Sequence, residues 1–299
     1  MDAEMTVLSR SLVVELAGSI GFRNSPLANR IIWPLFRPIT DRLARVGLTF
    51  DRNVVRSGFS RAMGLTLEDF ATSVTARGME DFPPQGPLLV VSNHPGTYDS
   101  LIISSQLRRD DLSFISGDIP FLRSLPQAHE HFFCISDDQN VRMVAMRKAI
   151  RFLEDGGAVL IYGSGNIEPD PAVYDDALTS FDHWSPSIDL FLKVVPEARL
   201  LLSIVSHVVS LKWRNSLLYR LRSDPLDRRR LVEFGQVISQ LLFPHRLMLA
   251  PYISFARPVS GEELRSESSS VRVLPVITQR AKALLMEHMA WVATSKPGA

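Results

Sequence analysis

One cysteine in the whole chain, Cys134, has no partner to pair with, so an internal disulfide is excluded and a reducing compartment suits the protein. Long apolar runs are scarce too. The greasiest stretch, 200–209, is interrupted by Ser203, Ser206 and His207 and reads as a buried strand, not a bilayer-spanning helix. Asp2 and Glu4 stand where a secretory leader would be basic, so no leader is expected. Charge of one sign is also missing: 33 Lys and Arg against 32 Asp and Glu leave a formal +1, which names no partner. Apart from His94, the histidines show no metal-ligand spacing with one another or with Cys134, so neither a metal nor an organic cofactor is implied. What is left is a chain of 299 residues, enough for one large domain and an appendage, expected in the cytoplasm.

Two parts can be separated. Residues 1–78 have helical periodicity and no convincing strand. Met5, Leu8, Leu12, Val13 and Leu16 share one helical face, and Ile31, Leu35, Ile39, Leu43 and Val46 repeat the spacing. Pro26, Pro34 and Pro38 predict a break into short helices. This segment either packs on the rest of the protein or touches a bilayer, an option that Trp33 and Phe36 keep open. From 79 to 299 the pattern alternates. Strands are predicted near 87–93, 112–116, 131–136, 158–162, 199–209 and 246–257, and helices over 99–108, 140–155, 184–195, 226–243 and 271–292. The clearest helix carries Met143, Met146, Ile150 and Leu153 on one face and stops at Gly156-Gly157. Strands interleaved with helices predict an α/β fold: a mixed, mostly parallel sheet flanked by helices.

The chemistry concentrates after the first of these strands. The run from Pro87 to Val91 ends in Ser92-Asn93-His94-Pro95-Gly96-Thr97-Tyr98-Asp99, where turn residues lead into a helix. His94 and Asp99, with four residues between them, therefore face each other across one strand-to-helix turn. Imidazole, with an ordinary pKa of about 6.5, is matched to take a proton near neutral pH. A carboxylate on its other ring nitrogen fixes the tautomer and stabilises the imidazolium that forms. A structural alternative is that His94 bonds within the turn and Asp99 caps the helix.

Asn93, His94 and Asp99 fill the Asn-His-x-x-x-x-Asp signature of the glycerolipid acyltransferase superfamily, which this sequence resembles from about residue 78 to 209. The resemblance continues downstream. Leu153-Glu154-Asp155-Gly156-Gly157 leads through Ala158–Tyr162 into Gly163-Ser164-Gly165-Asn166-Ile167-Glu168-Pro169-Asp170-Pro171. That loop, with Phe181-Asp182, Ser187-Ile188-Asp189 and Ser116-Gly117-Asp118, is most similar to the soluble plastid-type glycerol-3-phosphate acyltransferases. The likeness implies transfer of a fatty acyl group from a coenzyme A or acyl carrier protein thioester to a hydroxyl of a glycerol-derived or related acceptor, a lipid or polyol. His94 is then the base and Asp99 its orienter. Asn93, Gly96, Thr97, Gly163, Ser164, Gly165, Asn166 and Glu168 are expected around the substrate, with small residues at 163 and 165 letting main-chain N–H groups approach a substrate oxygen.

The departures from that family bear on the acceptor. Where phosphate-accepting relatives place arginine in the glycine loop, this chain has Ile167 or Glu168, and after the third strand it has Ser136-Asp137-Asp138. Unit charges 4 Å apart interact by about 4 kcal/mol at an effective dielectric near 20, so Asp137 and Asp138 facing a phosphate would oppose binding strongly. Equally, both aspartates could cap the next helix. The expected acceptor is therefore neutral or cationic. Two other readings use the same residues: a thioester hydrolase, and a catalytically silent lipid-binding or scaffold protein. Finally, residues 212–230 hold seven basic side chains against Asp224 and Asp227, interleaved with Trp213, Leu217, Leu218, Tyr219 and Leu221. This reads as contact with anionic headgroups at a peripheral membrane surface, with coenzyme A phosphates or with acyl carrier protein. No nucleic-acid motif accompanies it, so nucleic acid is not expected.

Overall fold

The computed structural model describes residues 5, 8, 9 and 12, then 26–220, 223–268 and 272–295. In chain order the principal elements are α1 (Pro26–Ser57), α2 (Phe59–Leu67), β1 (Thr75–Arg77), β2 (Leu88–Ser92), α3 (Asp99–Leu107), β3 (Leu112–Gly117), β4 (Phe132–Ile135), α4 (Gln139–Glu154) and β5 (Ala158–Tyr162). There follow α5 (Ser187–Val194), β6 (Arg199–Ser206), α6 (Pro225–Leu242), β7 (Tyr252–Phe255), β8 (Val259–Ser260), α7 (Gly261–Glu267) and α8 (Leu274–Ser295).

The strands form one eight-stranded sheet in the order β1-β7-β6-β2-β5-β3-β4, with β8 also paired to β6. Pairing is parallel except that β7 and β8 run antiparallel to β6. Both faces are covered, so the central strands are continuously apolar: Leu88–Val91 and Leu200–Leu202 are buried at every position. Alternate residues go to opposite cores. Leu88, Val90, Phe114 and Leu160 pack with α1, α2, α3 and α6, while Leu89, Val91, Val159 and Ile161 pack with α4, α5, α7 and α8.

Several expectations need correction. The segment before residue 79 contains a strand: Thr75–Arg77 pairs in parallel with Tyr252–Ser254. Three residues with one exposed end carry too little periodicity to announce it. The run 246–257 shrinks to Tyr252–Phe255, and 199–209 ends as a strand at Ser206. Pro34 and Pro38 do not break α1, which is continuous over 32 residues. Their spacing puts both rings on an exposed side of the helix, where water can take the carbonyls they free. Pro26 occupies the first helical position, where its missing N–H costs nothing. In α4 the buried stripe is Ala145, Ala149 and Leu153, flanked by Met146 and Ile150, whereas Met143 is exposed. Of the first helical face, Leu8 and Leu12 are buried and Met5 packs on the core; Val13 and Leu16 lie outside the described residues, as do the side chains of Ile31, Trp33 and Leu35. Phe36 packs on the core. No helix among the described residues is long and apolar enough to cross a membrane.

Candidate active site

Parallel strands β2 and β5 are in register, Ser92 opposite Tyr162, so their carboxyl ends deliver the loops after them side by side. Clefts at such strand ends are the usual ligand position in open α/β sheets. Here a cleft of about 760 Å³ lies there, bounded by β3, β4 and α4 on its far side.

His94 lines it. Its Nδ1 is 2.7 Å from Oδ2 of Asp99, the first residue of α3. Asp99 is wholly buried, and its two oxygens are held: Oδ2 also accepts the Gly96 N–H at 3.2 Å, and Oδ1 accepts the Tyr162 hydroxyl at 2.7 Å. The Tyr162 ring stacks on the imidazole, centroids 4.0 Å apart and 12° from parallel. Burial pushes the Tyr162 phenol well above its ordinary range, so it stays a neutral donor to Asp99. These contacts leave His94 one free choice of role: Nδ1 bound to the carboxylate and Nε2 available to a ligand.

The charge around the imidazole is acidic. Burial works to lower the His94 pKa, but Asp99, through its charge and hydrogen bond, with Glu233 and Glu168 further away, outweighs it and raises the pKa above 6.5. Glu233 comes from α6 and accepts the Thr97 hydroxyl at 2.5 Å. Burial raises the pKa of both Glu233 and Glu168.

Of the residues expected at the substrate, the cleft brings together His94, Thr97, Ser164, Gly165 and Asn166. Others stand behind it. Asn93 is buried and exchanges two hydrogen bonds with the Val205 backbone, at 2.9 and 2.8 Å, tying the turn to β6. Gly96 lies beneath the turn, where an added Cβ would stand 3.2 Å from Glu233 Oε1. Glu168 faces inward and accepts from the Ser164 N–H, the Trp184 indole and the Ser180 hydroxyl, so it braces the glycine loop. The N–H groups of Gly163 and Gly165 are spent on the carbonyls of Ser92 and Tyr162, both at 3.0 Å, and are not free for a substrate oxygen. Glycine is needed at these positions for other reasons. A Cβ at 163 would fall 2.1 Å from the Trp184 ring, and residue 165 has φ +69°. Asp137 and Asp138 are outside the cleft: Asp138 caps α4, accepting from the N–H groups of Asn140 and Val141, and Asp137 lies 3.8 Å from Arg142.

Arg142 itself lines the cleft, and Arg230 of α6 donates to Asn166 Oδ1 at 3.3 Å on its rim. Sequence reasoning passed over Arg142, Tyr162 and Glu233. Only Tyr162 left a signal, as the polar end of an apolar run. A further anchor is Asp170, fully buried, which accepts the N–H groups of Ala172, His207, Val208 and Val209 and so locks the loop after β5 to the turn after β6.

The far side of the cleft is walled largely by Phe114, Ile115, Phe132, Ile135 and Met146, with Ser116 and Arg142 among them. Cys134 faces elsewhere, and burial pushes its thiol up, away from the thiolate. Among the described residues no group of three or more His, Cys, Asp or Glu is placed to hold a metal ion. The arrangement is a histidine with its orienting carboxylate on one side and a largely apolar wall on the other.

No curated protein matches the chain. Among solved structures it is similar to the crystal structure of the 1-acyl-sn-glycerophosphate (LPA) acyltransferase PlsC from Thermotoga maritima, with 14% identity, a TM-score of 0.44, and 99% of this chain and 96% of that one covered. Residues 73–184, which carry His94, Asp99, Tyr162 and the glycine loop, match the family model described as Acyltransferase, and over that segment the chain is similar to that family.

Proposed function

We propose that this protein is an O-acyltransferase that moves a fatty acyl group from a thioester of coenzyme A or acyl carrier protein to a hydroxyl of a glycerol-derived or related lipid precursor. The observation that carries this reading is the 2.7 Å bond between His94 Nδ1 and Asp99, set in a cleft whose other side is largely apolar. The acceptor hydroxyl oxygen attacks the thioester carbonyl carbon while its proton passes to His94 Nε2. The C–S bond of the resulting tetrahedral adduct then breaks, and the departing sulfur takes up the proton that His94 holds. Asp99 stabilises the imidazolium between these steps. The acceptor is itself the nucleophile, so no serine or cysteine is required. The likeness of the glycine loop to plastid-type enzymes, and a place as a peripheral protein at the cytoplasmic membrane face, belong to the same reading.

The expected acceptor is neutral or cationic, because the groups acting on His94 are carboxylates; Arg142 is the one cleft residue that would favour an anion. The test incubates acyl-coenzyme A and acyl carrier protein thioesters with glycerol 3-phosphate, or with a total lipid extract, using the wild type, His94→Ala and Asp99→Asn. Loss of the general base is expected to lower the rate roughly 10²–10⁴-fold. Thioester consumed without any acceptor makes the protein a hydrolase, and no consumption at all makes it a binding protein. Glycerol 3-phosphate acylated by the wild type and not by Arg142→Ala would reverse the acceptor assignment.

A further inference from the structure

We propose that the surface formed by residues 211–220 and the first turns of α6 docks the protein onto an anionic lipid bilayer. Charge is concentrated there. Seven basic against two acidic residues give +5 between 212 and 230, so with a formal +1 overall the remainder of the chain is net −4. Leu221 and Arg222 lie outside the described residues, as does the side chain of Leu218; the others can be placed. The helical turns Leu211–Arg214 and Leu217–Arg220 pack on α6, gathering Lys212, Arg214, Arg220, Arg228, Arg229 and Arg230 into one region.

The cations are organised by aromatic rings. The Arg214 guanidinium lies 5.2 Å from the Tyr219 ring centre and 6.0 Å from that of Tyr174. Arg228 is 5.3 Å from Tyr219, and Arg229 is 5.6 Å from Tyr174 while also pairing with Asp176. Such stacking orders the guanidinium groups on the surface. Lys212, Arg220 and Arg230 are exposed. Two large apolar side chains project beside them: Leu217 is 77% exposed and Leu211 59%. Exposed leucines ringed by cations suit a negatively charged headgroup layer over hydrocarbon, where the basic groups meet phosphates and the leucines pass below them. A bilayer takes up both features at once, charge at the headgroups and leucines in the hydrocarbon below, and an acidic protein is the alternative that the test below separates.

The position fits delivery of a lipid. Arg230 bonds Asn166 on the cleft rim, and Glu233, one turn further along α6, lines the cleft. An amphiphile leaving the bilayer at this patch would enter beside His94; that step rests on the acyltransferase reading, whereas docking does not.

Docking is measured without substrate, by co-sedimentation of the full chain with vesicles of phosphatidylcholine alone or with phosphatidylglycerol added, at low and high salt. Lys212→Glu/Arg220→Glu and Leu217→Glu alter exposed residues away from the cleft, and their thermal midpoints serve as the folding control. The wild type should bind phosphatidylglycerol vesicles at least ~10-fold more tightly than neutral ones, lose this preference in high salt, and lose ~10-fold or more in affinity in the charge-reversed variant. Equal binding to both vesicle types, or undiminished binding by the double variant, overturns the proposal. So does a double variant that binds vesicles normally but loses affinity for acyl carrier protein, which would make the patch a protein-docking surface. Because no turnover is scored, an inactive enzyme that still docks would sink the acyltransferase reading alone.

Discussion

Glu233 reaches Thr97, on the turn that His94 shares, across 136 residues of sequence. Two consequences can be separated. Its hydrogen bond steadies the turn, and its charge helps to raise the His94 pKa. A general base must be neutral to work, so a raised pKa moves the rising limb of the pH–rate profile upward from 6.5. In Glu233→Gln the side chain keeps its length and its carbonyl can still accept from Thr97, but the charge is gone. The limb should then move to lower pH, toward the ordinary histidine value. This is read from kcat/KM measured across pH in the wild type and the variant; a limb that stays put would show that the carboxylate serves the turn alone. The His94–Asp99 pair was legible because both ends lie in one turn, where spacing alone determines who meets whom. Glu233 and Arg142 were not, because nothing local records which helix returns to the cleft. Asp137 and Asp138 show the opposite hazard: two charges next to a motif that the backbone turns toward their own helix.

Elements were legible in proportion to how completely they are buried. β2, β5 and β6 stand out as apolar runs because helices cover both faces of the sheet, whereas β1 and β8 are too short for any pattern to form. What joins α8 to the sheet was also hidden. His288 is fully buried, its Nε2 2.8 Å from the Ser206 hydroxyl and its Nδ1 2.7 Å from that of Ser254, so it bridges β6 and β7 from the helix above. Burial, and then the nearby charges of Arg77 and His207, push its pKa down to about 3. Below pH 6.5 the unfolded chain therefore takes up a proton that the folded one refuses. Stability falls with acid through the window from about 6.5 to about 3, at up to ~1.4 kcal/mol per pH unit from this group. Urea unfolding at pH 7 and pH 5 should show a loss on the order of 2 kcal/mol in the wild type. His288→Gln, which has no proton to gain, should start less stable and lose less over the same interval. Equal acid losses in the two proteins would mean that His288 is not the group responsible.

At the scale of the whole molecule, the division at residue 78 that composition invites cuts through the core. α1 and α2 cover the same side of the sheet as α3 and α6, and Phe59, Ala62, Met63 and Leu67 share a cluster with Leu88, Val90, Ile102, Ile103 and Phe114. Phe59 stacks on His131, ring centres 3.7 Å apart, and meets Phe114 at 5.9 Å. Asp51 of α1 accepts the buried Ala128 N–H at 2.8 Å, so the first helix also satisfies backbone beyond residue 78. β1 in turn pairs with β7, near the other end of the chain. A fragment of residues 79–299 would thus lose a strand and the lid of one core at once, leaving several aromatic and branched side chains in water. Each of these is worth roughly 1.5–3 kcal/mol when buried, against a typical total stability of 5–15 kcal/mol. Phe59→Ala in the full chain should cost about 3–5 kcal/mol and still fold cooperatively, whereas the fragment should bind a hydrophobic dye and show no sharp urea transition. A soluble fragment that unfolds in a single sharp step would mean that the helices are an attachment. Failure of the fragment beside a folded Phe59→Ala protein would mean that the helices belong to the same cooperative unit as the sheet that presents His94.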